Sequence, residues 1–142
     1  MNLPVLNNDA IRTEIIEDEG RFNERKYIEQ RNQRLDNILE NGFSFILDAS
    51  VDREWQELQK RLTKFDYSWF IISLDLPRSF VERLYQIKGY TESLNRLDKL
   101  LLDHEMFLKT HSEDIGLYIK DSTFSDRLEL SYNAIKKHLE TL

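Results

Sequence analysis

Four short apolar runs, separated by longer segments of helical period, constrain the fold of this chain more than any other feature. Short runs bounded by turn formers suit strands, whereas apolar residues three and four apart suit helices buried along one side. The candidate strands are LPVLN (Leu3 to Asn7), FSFILDA (Phe43 to Ala49), SWFIISLDL (Ser68 to Leu76) and IGLYIKDS (Ile115 to Ser122). The second and third are continuously apolar, as in strands covered on both faces, and are expected near a sheet centre. The fourth alternates, with Leu117 and Ile119 opposite Tyr118 and Lys120, and is expected at an edge. This alternation of strand and helix predicts an α/β class, with four mostly parallel strands and about six helices on both faces of the sheet.

The helical stripes lie between the strands. Ile11 and Ile15 form a short one; Tyr27, Ile28, Leu35, Ile38 and Leu39 form a longer one that stops before Gly42. Trp55, Leu58 and Leu62 follow Ser50 and Asp52, either of which suits a helix cap. Phe80, Val81, Leu84 and Tyr85 follow Pro77, a residue at home in a first turn. Leu94, Leu97, Leu101, His104 and Leu108 run on from Thr91, and Phe124, Leu128, Ile135 and Leu139 mark a last helix behind Ser122 or Ser125. No internal repeat and no linker rich in Gly, Pro or Ser divides the 142 residues, so residues 1–142 read as a single domain.

Composition removes several function classes. Hydrophobic residues at 40%, with four Gly and two Pro, exclude collagen-like and wholly disordered chains. A net charge of -6 lacks the cationic surplus by which a general nucleic-acid binder neutralises phosphates. The absence of cysteine removes disulfides and thiolate-bound metal centres. MNLPVLNNDAIRTEIIEDE has no basic start and apolar core of a secretory signal, and YSWFIISLDLP meets Asp75 well short of the roughly 20 residues that span a bilayer. The expectation is a cytoplasmic protein without membrane association.

Polar residues at strand ends carry the functional signal, because ligands of open parallel sheets bind at the carboxyl edge. Asp9 and Arg12 follow the first strand, Asp48 ends the second and Asp75 ends the third. A carboxylate there can accept a hydroxyl proton or hold a magnesium-bound water, and Arg12 can grip a phosphate with two parallel donors. The structural alternative is that Asp9 caps a helix starting at Ala10 and that Asp48 and Asp75 form turns. Other patterns read as structure. HEMFLKTH puts Leu108 where a zinc-protease motif needs its second histidine, Trp55 and Trp69 fall at core spacing, and RKYIEQRNQR intersperses Glu with Arg as on a solvated helix.

LPVLNNDAIR, a long helix, NGFSFILDAS with the following Arg53, FIISLDLPRSFVERL and a last strand near DST together resemble the successive segments of small P-loop kinases. That group includes polynucleotide-kinase-like, zeta-toxin-like and chloramphenicol-phosphotransferase-like enzymes, which move the terminal phosphate of ATP to a hydroxyl. The resemblance implies that Asp9 is the general base, that Arg12 orients the acceptor and that Asp48 helps place acceptor or magnesium. It further implies substrate contacts from Arg53 and from Arg83 or Arg96 in a helical lid. ATP and magnesium would be the cofactors of the intact activity, and the acceptor a small hydroxylated molecule.

The family opens on a strand, a G-x-x-x-x-G-K-[ST] loop and its helix, and none of the glycines at 20, 42, 89 and 116 belongs to such a motif. Without those consecutive N–H groups, the lysine and the hydroxyl, tight nucleotide binding has no basis, so no cofactor and no metal is expected for this chain alone. The expected fold is therefore an incomplete three-layer P-loop arrangement that starts at the second family strand. In the family order 2-3-1-4-5 the missing strand is central, leaving the strands around Phe45 and Phe70 about 10 Å apart if nothing moved. Direct pairing of those two strands, or a strand-mediated homodimer, would fill the gap. Three readings follow: a nucleotide-deficient kinase relative, a shortened copy of an active phosphotransferase, and a homo-oligomeric interaction module.

Overall fold

A computed structural model describes residues 2–50, 52 and 54–142. Helices and short parallel strand pairs make up an α/β chain, divided into two compact units, residues 1–68 and 69–142.

In the first unit, Asn7 ends the first strand, β1 (Val5–Asn7), and caps the helix that follows, α1 (Asn8–Glu19), its Oδ1 accepting from the Ala10 N–H at 2.9 Å. Gly20, in the left-handed region at φ 74°, closes α1 by donating to the Ile16 carbonyl. Asn23 caps α2 (Glu24–Glu40) in the same way. β2 (Ile46–Asp48) pairs with β1 in parallel, setting Val5 opposite Ile46, Leu6 opposite Leu47 and Asn7 opposite Asp48. The Tyr67 hydroxyl donates to the carbonyls of Phe43 and Ile38, at 3.0 and 3.1 Å, and so ties the approach to β2 back to α2. α3 (Trp55–Lys64) completes the unit. Leu6, Ile11, Ile15, Leu35, Leu39, Trp55, Leu58 and Leu62 are buried. Apart from Leu6 of β1 these are stripe positions at helical spacing, and their removal from water is the main stabilising term.

In the second unit, β3 (Ile71–Leu74) pairs in parallel with β4 (Ile115–Ile119). Ile71 lies opposite Ile115 but Ile72 opposite Leu117, so Gly116 is the extra residue of a bulge. The Phe70 ring lies against Gly116 so closely that a Cβ there would sit 2.2 Å from it. α4 (Arg78–Lys88), α5 (Thr91–Asn95) and α6 (Leu97–His111) lead through a 3-10 turn (Ser112–Asp114) to β4. A 3-10 segment (Asp121–Asp126) then enters α7 (Arg127–Glu140). Leu97, Phe107 and Ile119 are buried, and Phe80 meets Phe124 edge-on with centroids 5.0 Å apart.

Several expectations need correction. The four strands form two separate two-stranded sheets, β1 with β2 and β3 with β4, instead of one four-stranded sheet; the direct pairing expected between the strands around Phe45 and Phe70 is not among these ladders. Each strand spans three to five residues, because ladder bonds stop where a neighbour stops, however far the apolar run continues. Seven α-helices form among the described residues, not about six, since the segment behind Thr91 breaks at Arg96 into α5 and α6. Asn7, not Asp9, caps α1, and the cap position of α3 is Glu54, which makes no side-chain cap bond, so neither Ser50 nor Asp52 occupies it.

Candidate functional site

The parallel register assembles the candidate site at the carboxyl end of β1 and β2. Asn7 and Asp48 are the last residues of their strands and ladder partners, and Asn7 Nδ2 donates to Asp48 Oδ2 at 2.7 Å. One asparagine therefore performs two tasks: its oxygen caps α1 and its nitrogen fixes the Asp48 carboxylate. Asp9 follows two residues later in the first turn of α1, exposed to solvent, with Asp48 also exposed. Two carboxylates, one anchored and one open, thus stand near the same strand ends.

Arg12 lies one turn further along α1. Its guanidinium stacks over Phe22 at 4.2 Å from the ring centroid, with Tyr27 at 6.0 Å. Among the described residues it makes no ion pair and no hydrogen bond. A face-on aromatic seat orients the guanidinium plane and leaves the N–H edge available to an anion or a polar acceptor. The basic residues of the α2 run are committed: Lys26 pairs with Glu19 at 3.0 Å, Arg25 with Glu29 at 3.0 Å, Arg34 with Glu14 and Arg31 with Glu54. The RKYIEQRNQR run is thus more than a solvated face, since three of its four cations tie α2 to neighbouring segments.

The remaining sequence candidates belong to the second unit or lie outside the described residues. Arg83 on α4 is exposed, with its guanidinium 5.6 Å from the Phe80 ring, and Arg96 is exposed at the α5–α6 junction. The ion pairing in this region falls to Arg78, which holds Glu82 on its own helix at 2.7 Å and Asp98 on α6. Hydrogen bonds donated to Asp98 and then to Glu82 raise the Arg78 pKa above its ordinary value. Arg53 lies outside the described residues. Asp75 is paired with Lys120 at 3.0 Å.

Among the described residues no group of three or more His, Asp or Glu is placed to hold a metal ion. Glu105 pairs with Lys109 and His111 with Asp114, as helix-surface pairs do. Nor do the glycines make a phosphate cradle. Gly20 and Gly89 end helices, Gly42 turns after α2, and a Cβ at any of these three meets nothing within 4 Å; Gly116 is the strand bulge. The described glycines thus offer no loop of consecutive N–H groups to a triphosphate. No helix among the described residues is long and apolar enough to cross a membrane.

Sequence reasoning missed Asn7 and the Phe22 seat. Asn7 carried a signal, an Asn directly before a helical stripe, which is a preferred cap. Phe22 carried none, because its contact to Arg12 spans a chain reversal whose geometry is not local. Comparison with known proteins adds no relative: no family model, no curated protein and no solved structure matches the chain.

Proposed function

We propose that this chain is the acceptor-side part of a P-loop kinase-like scaffold, binding a small hydroxylated molecule without holding nucleotide tightly by itself. The observation that carries the reading is the Asn7–Asp48 register, which brings Asp48 and the start of α1, with Asp9 and Arg12, to one carboxyl edge. In this reading Asp9 accepts the hydroxyl hydrogen of the ligand, Asp48 fixes its position and the free N–H edge of Arg12 orients it by donating to the hydroxyl oxygen. The parallel pairs β1–β2 and β3–β4 are those that a 2-3-1-4-5 order leaves when its central strand is absent, which further supports the reading. A cytoplasmic setting goes with it. Calorimetric titration with ATP and magnesium is the test: no saturable heat is expected, and tight stoichiometric binding would overturn the proposal.

A second reading, self-association, is favoured by one specific observation. Val5 and Ile46 are ladder partners on one face of the β1–β2 pair and are 57% and 41% exposed, with Phe43 nearby in sequence at 54%. Parallel strands are usually covered on both faces, so this apolar surface suits a second copy. Sedimentation velocity separates the readings. A dimer weakened by Val5→Glu supports self-association, and a monomer at all concentrations dismisses it.

A further inference from the structure

A cleft of about 300 Å³ opens in the first unit, with Leu6 and Leu47 of the strand pair, Leu35 of α2 and Leu58 of α3 on its walls. Its size lies at the lower end of small-molecule sites, and its surface is mostly apolar. The polar rim is electrically closed. Burial opposes the charge on Arg31, but the hydrogen bond and attraction of Glu54 outweigh it and hold the guanidinium pKa above its ordinary value. Arg61 Nη2 lies 2.7 and 2.9 Å from the two Asp36 oxygens, and Glu57 is 2.8 Å from Lys60. Asn32 Oδ1 accepts from both arginines at 3.3 Å. Asn8, on the same lining and directly before Asp9, buries an Oδ1 that meets no donor among the described residues.

We infer that this cleft takes an uncharged alcohol with an aliphatic or aromatic body, an assignment that rests on the acceptor-site reading above and names its ligand class. An anionic ligand would have to compete with Glu54 or Asp36 for its arginine and would meet the carboxylates of Glu54 and Glu57 on the same lining. A sugar would bring hydroxyls against leucine and leave them without partners. An alcohol with an apolar body covers the leucines, and its single O–H can donate to the unmatched Oδ1 of Asn8 on the lining.

The test is a methyl NMR titration of the whole chain with three probes: 3-phenyl-1-propanol, glucose, and a thymidine dinucleotide bearing a free 5′-hydroxyl. Saturable shifts of the Leu6, Leu35, Leu47 and Leu58 methyls are expected with the phenyl alcohol alone. Leu47→Asn should weaken that binding about tenfold, and the same spectra report whether the variant is folded. Glu54→Gln frees Arg31 and should raise affinity for 3-phenylpropyl phosphate about tenfold, a gain that a folding defect would not produce. Absence of cleft shifts with the alcohol, or equal shifts with glucose or the dinucleotide, overturns the assignment. Because no nucleoside triphosphate is present, that failure leaves the reading of Asp9, Arg12 and Asp48 standing, whereas tight ATP binding overturns that reading and leaves the cleft titration unaffected.

Discussion

Asn7 is the residue on which most of the candidate site depends, because it serves the helix and the neighbouring strand at once. Asn7→Ala removes the cap and the Asp48 bond together and should cost about 1–2 kcal/mol, read from urea denaturation. Asn7→Asp separates the two roles, since Asp still caps but sets a second carboxylate against Asp48. Like charges so close raise a folded-state carboxyl pKa, so the folded variant binds more protons than the unfolded chain. Its stability should therefore rise as pH falls from 7 toward the usual carboxylate range, and a flat profile there would refute the like-charge argument. Gly116 is the second sensitive residue. A Cβ there meets Phe70 ring atoms at 2.2 and 2.6 Å, and the bulge holds the ring in place, so Gly116→Ala should cost about 1–3 kcal/mol in the same assay.

At the scale of elements, charge ties α1 to α2 and its approach where apolar stripes alone would leave the helix faces free to slide. The Glu14 pKa is lowered chiefly by its hydrogen bond from Arg34, and that of Glu19 by Lys26 and then Asn23. Both folded values lie below the ordinary 4.5, so these pairs contribute at neutral pH and their contribution is lost as pH falls below 4.5 through the lowered folded values. Both carboxylates are exposed, so the effect is small and salt-sensitive. The thermal midpoint should drop less on acidification in a Glu14→Gln, Glu19→Gln double variant than in the parent, and added salt should narrow the difference. The strands show what element-level reading misses. FSFILDA is apolar over most of its length, yet only Ile46–Asp48 pairs, because β1 offers only Val5–Asn7 as partner.

For the whole molecule, a net charge of -6 predicts that the chain passes through a double-stranded DNA column even at about 50 mM salt, and retention there would contradict it. The sequence by itself determined where apolar runs and helical stripes lie, and which polar residues close the runs, because periodicity is a local property of the chain. It also determined that no phosphate loop of the G-x-x-x-x-G-K-[ST] kind is encoded in these residues. Only the tertiary structure decided that the strands form two pairs, that Asn7 reaches Asp48 across 41 residues, and that Arg12 rests on Phe22 while Arg31, Arg34 and Lys26 are taken by acids. Ladder partners and ion pairs are chosen by how helices and strands pack, and packing is a competition among distant segments that spacing along the chain does not record.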